Sequence, residues 1–88
     1  MKLKYEFAVR EIAGEYVLIP MGSAALAFSG MVSTNAVGAY ICKALAQPTD
    51  EASLLEGICA AFDIDRDTAK QDMGEFLTQL ARAGLLEK

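Results

Sequence analysis

Three carboxylates with regular spacing are the first residues of this chain that could do chemistry. Asp63, Asp65 and Asp67 stand two positions apart, as the first ligands of a calcium-binding loop do. That loop also needs glycine at its sixth position and glutamate at its twelfth, where this sequence has Thr68 and Gly74. The pattern therefore does not predict a calcium loop. It favours a helix start instead, with Asp65 as the cap.

Nucleophiles and metal ligands are scarce. The chain has no histidine, which excludes a histidine general base, histidine metal ligands and the usual serine or cysteine triads. Cys42 and Cys59 are separated by sixteen residues, and each lies within an apolar helical pattern. That placement is typical of buried free thiols rather than of a zinc site. We expect no catalytic residue, no metal site and no cofactor.

One polar stripe could bind a ligand instead. Asp72, Glu75 and Gln79 recur at the i, i+3 and i+7 positions of a predicted helix, beside Phe76. The stripe could contact an extended peptide, or it could be an ordinary solvated helix face, which the pattern alone favours. Phe76 and Met73 could line a groove or belong to the core, and the core is the simpler interpretation.

The elements that would position these residues begin with strands. Apolar residues alternate with polar ones from Leu3 to Val9, which predicts a strand with one wet face. Ala13-Gly14 predicts a turn, and Glu15 to Ile19 predicts a second strand. Pro20 ends that strand because proline cannot donate to a ladder.

A third, weaker strand is predicted from Ala24 to Ser29. No charged residue stands between Ala24 and Val32, so nothing in the sequence blunts this edge against pairing. An extended peptide could add to it as a further strand. Alternatively, a helix or loop could cover the edge, or a second copy of the chain could pair with it.

Three helices follow the strands. Their predicted start and end signals are Thr34 or Asn35 and Gln47-Pro48 for the first, Thr49 for the second, and Asp65 and Gly84 for the third. Their apolar stripes are Val37, Tyr40, Ile41, Ala44 and Leu45, then Leu54, Leu55, Ile58 and Phe62, then Ala69, Met73, Phe76, Leu77 and Leu80. This order predicts an α+β, winged-helix-like fold in which a three-stranded antiparallel sheet precedes a three-helix bundle (βββααα).

Composition narrows the class of protein. The 88 residues predict a single domain, residues 1–88, and the 53% hydrophobic content argues against disorder. A net charge of −4 with only eight basic residues disfavours nucleic-acid binding, since that binding relies on Lys and Arg at phosphates. No signal peptide and no bilayer-spanning run is evident, so we expect a cytoplasmic protein that binds no membrane.

Three segments, taken in order, resemble a known family. Gly14 to Pro20 (GEYVLIP) resembles its second strand, and Phe28 to Ile41 (FSGMVSTNAVGAYI) resembles its third strand and the entry to its first helix. Asp72 to Leu86 (DMGEFLTQLARAGLL) resembles its closing helix. Over nearly the whole chain, the sequence resembles PqqD-like proteins, the peptide-recognition elements of pathways that modify ribosomally made peptides.

The resemblance implies a non-catalytic peptide chaperone. Members of the family bind the leader of a precursor peptide as a strand added against strand three, in the groove beside helix three. They present the precursor to a modifying enzyme, often a radical S-adenosylmethionine (SAM) protein. The peptide-binding residues implied for this chain are Ala25, Leu26, Ala27, Phe28, Ser29 and Gly30 in the strand, and Asp72, Glu75, Phe76 and Gln79 on the helix.

Two other functions fit the predicted fold. A winged-helix nucleic-acid binder has a similar topology, but the third helix here sets three basic residues against three acidic ones, a poor balance for reaching phosphates. A homodimer could pair through the open strand edge or an apolar face. Dimer formation and peptide binding can both hold if they compete for one edge.

Overall fold

The computed structural model describes residues 1–23 and 32–87 of the chain. The elements of these residues are β1 (Lys2–Leu3), β2 (Phe7–Ile12), β3 (Glu15–Pro20), β4 (Val32–Thr34), α1 (Ala36–Ala44), α2 (Glu51–Ala61), α3 (Arg66–Arg82) and β5 (Leu86–Glu87). β2, β3 and β4 form an antiparallel sheet in that order, and the helices follow it. The predicted α+β plan of a three-stranded antiparallel sheet followed by three helices is confirmed.

The β2–β3 hairpin forms because its two turn residues accept the left-handed conformation. Ala13 has φ 52° and Gly14 has φ 82°, and a two-residue turn with positive φ at both positions matches the twist of the strands it joins. Ile12 and Glu15 are paired across the turn, and Phe7 pairs with Pro20 at the other end. Proline at the last strand position is tolerated because the ladder ends there.

β4 is the third described strand of this sheet. It pairs antiparallel with β3 through Val32 opposite Leu18, Ser33 opposite Val17 and Thr34 opposite Tyr16. The predicted third strand, Ala24 to Ser29, lies outside the described residues. Because side chains alternate between the two faces of a sheet, Val32 lies on the same face as Leu18, which belongs to the core shared with the helices.

The predicted first strand is wrong in extent, since it divides into two strands of different sheets. β1 pairs antiparallel with β5, with Leu3 opposite Leu86, while β2 begins only at Phe7. The Leu3 amide donates to the carbonyl of Leu45 (2.9 Å), and the Lys4 amide donates to that of Leu85 (2.8 Å). The first residues are thus bound to the helical core and the chain end. A strand of two residues, such as β5, is too short to show a period in the sequence.

A capping side chain starts each of α1, α2 and α3. The amide of Gly38 donates to Asn35 Oδ1 (2.8 Å), and Asn35 is one of the two caps predicted for α1. Asp65 caps α3, as predicted. The predicted cap of α2 is wrong by one residue, because the Ser53 amide donates to Asp50 (2.7 Å) rather than to Thr49. The Thr49 amide instead donates to the carbonyl of Met1 (2.9 Å).

Most residues of the predicted apolar stripes are buried in one core, and Tyr40, Ala44, Phe62 and Phe76 pack against it half-buried. Ile41, Leu45 and Ile58 are fully buried at its centre. The other buried members are Leu3, Leu18, Val37, Cys42, Leu54, Leu55, Ala69, Met73, Leu77, Leu80 and Leu85.

The end of α3 turns the chain back onto this core. Gly84 adopts φ 76°, as predicted, and the Leu85 amide donates to the carbonyl of Leu80 (2.9 Å). This is the backbone pattern of a Schellman ending, and it turns Leu85 back onto the helix.

None of the helices in residues 1–23 and 32–87 combines the length and apolar character that crossing a bilayer needs.

Candidate functional site

A groove lies between the end of β4, the start of α1 and the exposed side of α3. Its cavity has a volume of about 240 Å³. The residues that line it are Ser33, Thr34, Asn35, Val37, Gly38, Asp72, Glu75, Phe76 and Gln79. The capping interaction of Asn35 and the register of β4 therefore both help to position one wall, and the helical spacing of α3 positions the other.

Gly38 permits the close approach of the three elements at the floor of the groove. A Cβ atom added there would collide with Thr34 Oγ1 and would lie 3.0 Å from Cε1 of the Phe76 ring. The absence of a side chain on α1 thus leaves room for the end of β4 and for the aromatic ring of α3. This glycine is required for space rather than for an unusual φ angle.

The α3 wall makes the groove acidic. Asp72 is half-buried and Glu75 is exposed, and the side-chain amide of Gln71 donates to Glu75 (3.3 Å). No lysine or arginine is among the lining residues. A guest that carries a positive charge would therefore be attracted to this wall.

A second, apolar cavity continues from the groove under the edge of the sheet. It has a volume of about 90 Å³ and shares Phe76 and Gln79 with the groove. We call it the apolar slot, lined by Leu3, Phe7, Leu18, Val32, Cys42, Phe76, Gln79, Leu80, Ala83 and Leu85. Val32 is 50% exposed at the mouth of the slot, although it is a large apolar residue on a strand.

The outer edge of β4 borders both cavities. β4 pairs with β3 along one side, and no strand in the described part of the chain pairs with its other side. An edge of this kind presents a row of backbone N–H and C=O groups to which an extended chain can bond. The groove and the apolar slot would then receive the alternate side chains of that chain.

The structure brings together four of the ten predicted site residues. Asp72, Glu75, Phe76 and Gln79 line one groove, so their grouping on a helix face is matched by a cavity beside them. The other six predicted positions, Ala25, Leu26, Ala27, Phe28, Ser29 and Gly30, lie outside the described residues. Met73 belongs to the core, whereas Phe76 is only half-buried and reaches both cavities.

Sequence reasoning missed the β4 and α1 wall. Ser33 and Val37 carried no signal of a site, and Thr34 and Asn35 were considered only as helix caps. The one usable signal was Gly38, since a glycine inside an amphipathic helix often marks the close approach of another element.

The two cysteines differ in environment. Cys42 is buried beside the apolar slot, and this burial raises the pKa of its thiol to about 11. Cys59 is only half-buried. Within residues 1–23 and 32–87, no three side chains of His, Cys, Asp or Glu are grouped so that they could hold a metal ion.

Comparison with known proteins places the chain in a family. The family model described as "Coenzyme PQQ synthesis protein D (PqqD)" matches residues 15–86. This chain belongs to the PqqD family. The matched range of the PqqD domain includes β3, β4, all of the groove wall on α3 and the segment that ends in Leu86.

A solved structure is also similar to this PqqD-family chain. It is described as "TbiB1 in Complex with the TbiA(beta) Leader Peptide". The two chains are 29% identical with a TM-score of 0.68, and the match covers 99% of this chain and 95% of the other. No curated protein sequence matches this PqqD-family chain.

Proposed function

We propose that this protein is a non-catalytic chaperone that binds the leader of a precursor peptide. The leader adds as an extended strand to the edge of β4 opposite β3 and lies in the groove against α3. The bound precursor is then presented to a modifying enzyme. The observation that carries this proposal is the edge of β4 that pairs with no strand in residues 1–23 and 32–87, together with the groove and the apolar slot that β4 helps to line.

The physics of strand addition fits this site. Backbone hydrogen bonds along an edge give affinity that does not depend on sequence, and pockets for alternate side chains give specificity. Both features occur together here, because β4 supplies the edge and α3 supplies the facing wall. The similarity to TbiB1, a protein solved in complex with a leader peptide, supports a leader peptide as the guest of this chain.

The partner enzyme is proposed from the family resemblance. Radical SAM enzymes are the modifying partners of many PqqD-like proteins, and we assign the same class of partner here. This chain would bind and deliver the substrate, while the cofactor and the chemistry would belong to the enzyme. Co-purification of the two proteins in the presence and absence of precursor tests this partnership, and the absence of a complex in both conditions would contradict it.

Calorimetric titration with the leader of the precursor encoded beside this protein tests the binding role. Val32→Asp places a charge at the mouth of the apolar slot, where it cannot be well hydrated once a peptide covers it. We expect this variant to bind the leader at least about tenfold more weakly, which corresponds to ~1.4 kcal/mol.

Ile12→Asp is the matched control. Ile12 is 53% exposed on β2, close to the 50% of Val32, but it lies at the hairpin turn away from the groove. We expect Ile12→Asp to bind the leader as the unmodified chain does. A leader that gives no heat with the folded protein would overturn the proposed function, and equal affinities for the two variants would overturn the placement at β4.

A homodimer that pairs through β4 would use the same backbone groups. Sedimentation with and without leader separates the two uses. We expect the protein to be monomeric when leader is saturating, and a dimer that persists and still binds leader would show that the two do not share an edge.

A further inference from the structure

We infer that the groove and the apolar slot together select a guest peptide that has a basic residue and, two positions after it, a bulky apolar residue. This inference rests on the proposed function, because it assigns the side chains of the guest that adds to β4. The basic side chain faces Asp72 and Glu75, and the apolar side chain enters the slot beside Val32.

The spacing of two β4 residues sets the spacing of the guest residues. Val32 and Thr34 are two residues apart on β4, so their side chains lie on the same face of the sheet. Val32 lines the apolar slot and Thr34 lines the acidic groove. A guest strand beside β4 has two residues opposite these positions, which are also two apart and on the same face.

The two guest positions meet surfaces of different chemistry. The guest side chain opposite Thr34 meets the groove that Asp72 and Glu75 line, and neither carboxylate is in an ion pair with a described residue. The guest side chain opposite Val32 meets a slot of about 90 Å³, roughly the space of three water molecules. Its lining is apolar apart from Gln79, so it fits one branched aliphatic side chain or the tip of a larger apolar one.

The direction of the guest strand sets the order of its two residues. Every strand pair in the described residues is antiparallel, and antiparallel pairing gives the slightly more stable ladder. A guest antiparallel to β4 meets Thr34 before it meets Val32. The basic residue therefore precedes the apolar one in the peptide sequence. A parallel guest would carry the two in the opposite order.

Selection from a displayed library of random 12-residue peptides tests this order and spacing. The immobilised full chain is the bait, and enriched peptides are sequenced and aligned. We expect enrichment of Lys or Arg two positions before Leu, Ile, Met or Phe. With the Asp72→Asn/Glu75→Gln double variant as bait, the apolar preference should persist and the basic preference should disappear.

Glu11→Gln/Glu15→Gln is the matched control. It removes the same two charges at exposed positions on either side of the hairpin turn, away from the groove. This bait should select the same basic residue as the unmodified chain. Peptides resynthesised without their basic residue should bind the unmodified chain about fivefold more weakly, the scale of one or two exposed ion pairs.

The outcomes distinguish this inference from the proposed function. Enriched peptides in which the apolar residue comes first, or in which no basic residue recurs, would overturn the inference and leave strand addition intact. Loss of the basic preference in the Glu11/Glu15 control bait would also overturn it. If no peptide is enriched over an empty support, both the inference and the proposed function fail.

Discussion

Gly38 sets the geometry of the groove at the scale of single residues. We expect Gly38→Ala to destabilise the fold, because its Cβ would collide with Thr34 Oγ1 and crowd the Phe76 ring. Overpacking costs about 1–3 kcal/mol, which outweighs the ~0.5–1 kcal/mol that replacing a helical glycine gives. Urea unfolding measures the change, and titration with leader should show weaker binding.

Gly74 supplies the matched control on α3. No atom lies within 4 Å of the Cβ that alanine would add there. Gly74→Ala should therefore raise the free energy of unfolding by about 0.5–1 kcal/mol. If both alanine variants were stabilised equally, Thr34 would have rotated away at little cost, and the requirement for space at Gly38 would be refuted.

The cysteines give a second prediction at this scale. Burial raises the pKa of Cys42 from 9.0 to about 11, so its thiolate population at pH ~8 is about a hundredfold smaller than that of an ordinary cysteine. We expect a disulfide reagent to modify one thiol of the folded protein quickly, that of Cys59, and the other only after unfolding in urea. Cys59→Ser should abolish the fast phase, and a fast phase that survives would contradict the burial of Cys42.

The same shift fixes the sign of a pH effect. The unfolded chain ionises the Cys42 thiol near its ordinary pKa of 9.0, whereas the folded chain resists ionisation until about 11. The stabilisation that comes from keeping this thiol neutral is complete below pH 9 and is lost as the pH rises towards 11.

At the scale of elements, two helix caps make the fold sensitive to acid. The Ser53 amide lowers the pKa of Asp50 below 3.8, and the hydroxyl and amide of Thr68 lower that of Asp65. Each carboxylate therefore stabilises the fold above the ordinary pKa, and this stabilisation is lost as the pH falls through the folded value.

The acid sensitivity can be measured by thermal unfolding. Asp50→Asn/Asp65→Asn keeps an oxygen acceptor at both caps but removes the titrating groups. We expect Tm to fall less for this variant than for the unmodified chain between pH ~5 and ~2.5. Asp63→Asn, an exposed position that caps no helix, should retain the full pH dependence. If Tm changed equally with pH in all three proteins, the caps would be excluded as the cause of the acid sensitivity.

Elements that depend on residues close together in the sequence were predicted, whereas those that depend on residues far apart were missed. The apolar stripes and the caps at Asn35 and Asp65 follow from neighbouring residues, and they were predicted from the sequence. The cap at Asp50 was missed by one residue because Thr49 and Asp50 are both good cap residues. The β1–β5 pair was missed because it joins residues far apart in the chain, and its two-residue strands carry no periodic pattern.

One wall of the candidate site was predicted from the sequence, and the opposite wall was missed. The α3 wall was predicted because i, i+3 and i+7 spacing is a property of one helix. The opposite wall depends on the pairing of β4 with β3, a contact between segments that the sequence alone does not connect. Ser33 and Gly38 gained a role only when that pairing brought them beside α3.

At the scale of the whole molecule, net charge should control how fast a basic guest associates. The chain carries a net charge of −4, and two of its carboxylates line the groove. We expect the association rate constant for a basic leader to fall about tenfold between ~50 and ~500 mM salt, while dissociation changes much less. Stopped-flow measurements test this, with Glu11→Gln/Glu15→Gln to separate overall charge from groove charge. A rate that does not depend on salt would contradict electrostatic steering.

The pairing of β1 with β5 sets residues 2 and 87 opposite each other. Paired residues of antiparallel strands lie about 4.5–5.5 Å apart at their Cα atoms, the width of an ordinary surface turn. A host enzyme could therefore receive residues 2–87 at such a turn without separating its own flanking strands. The inserted unit would let the host enzyme bind substrates that carry the peptide this unit recognises. Joining residues 2 and 87 by a short linker would also allow circular permutation, with new termini at the β2–β3 turn.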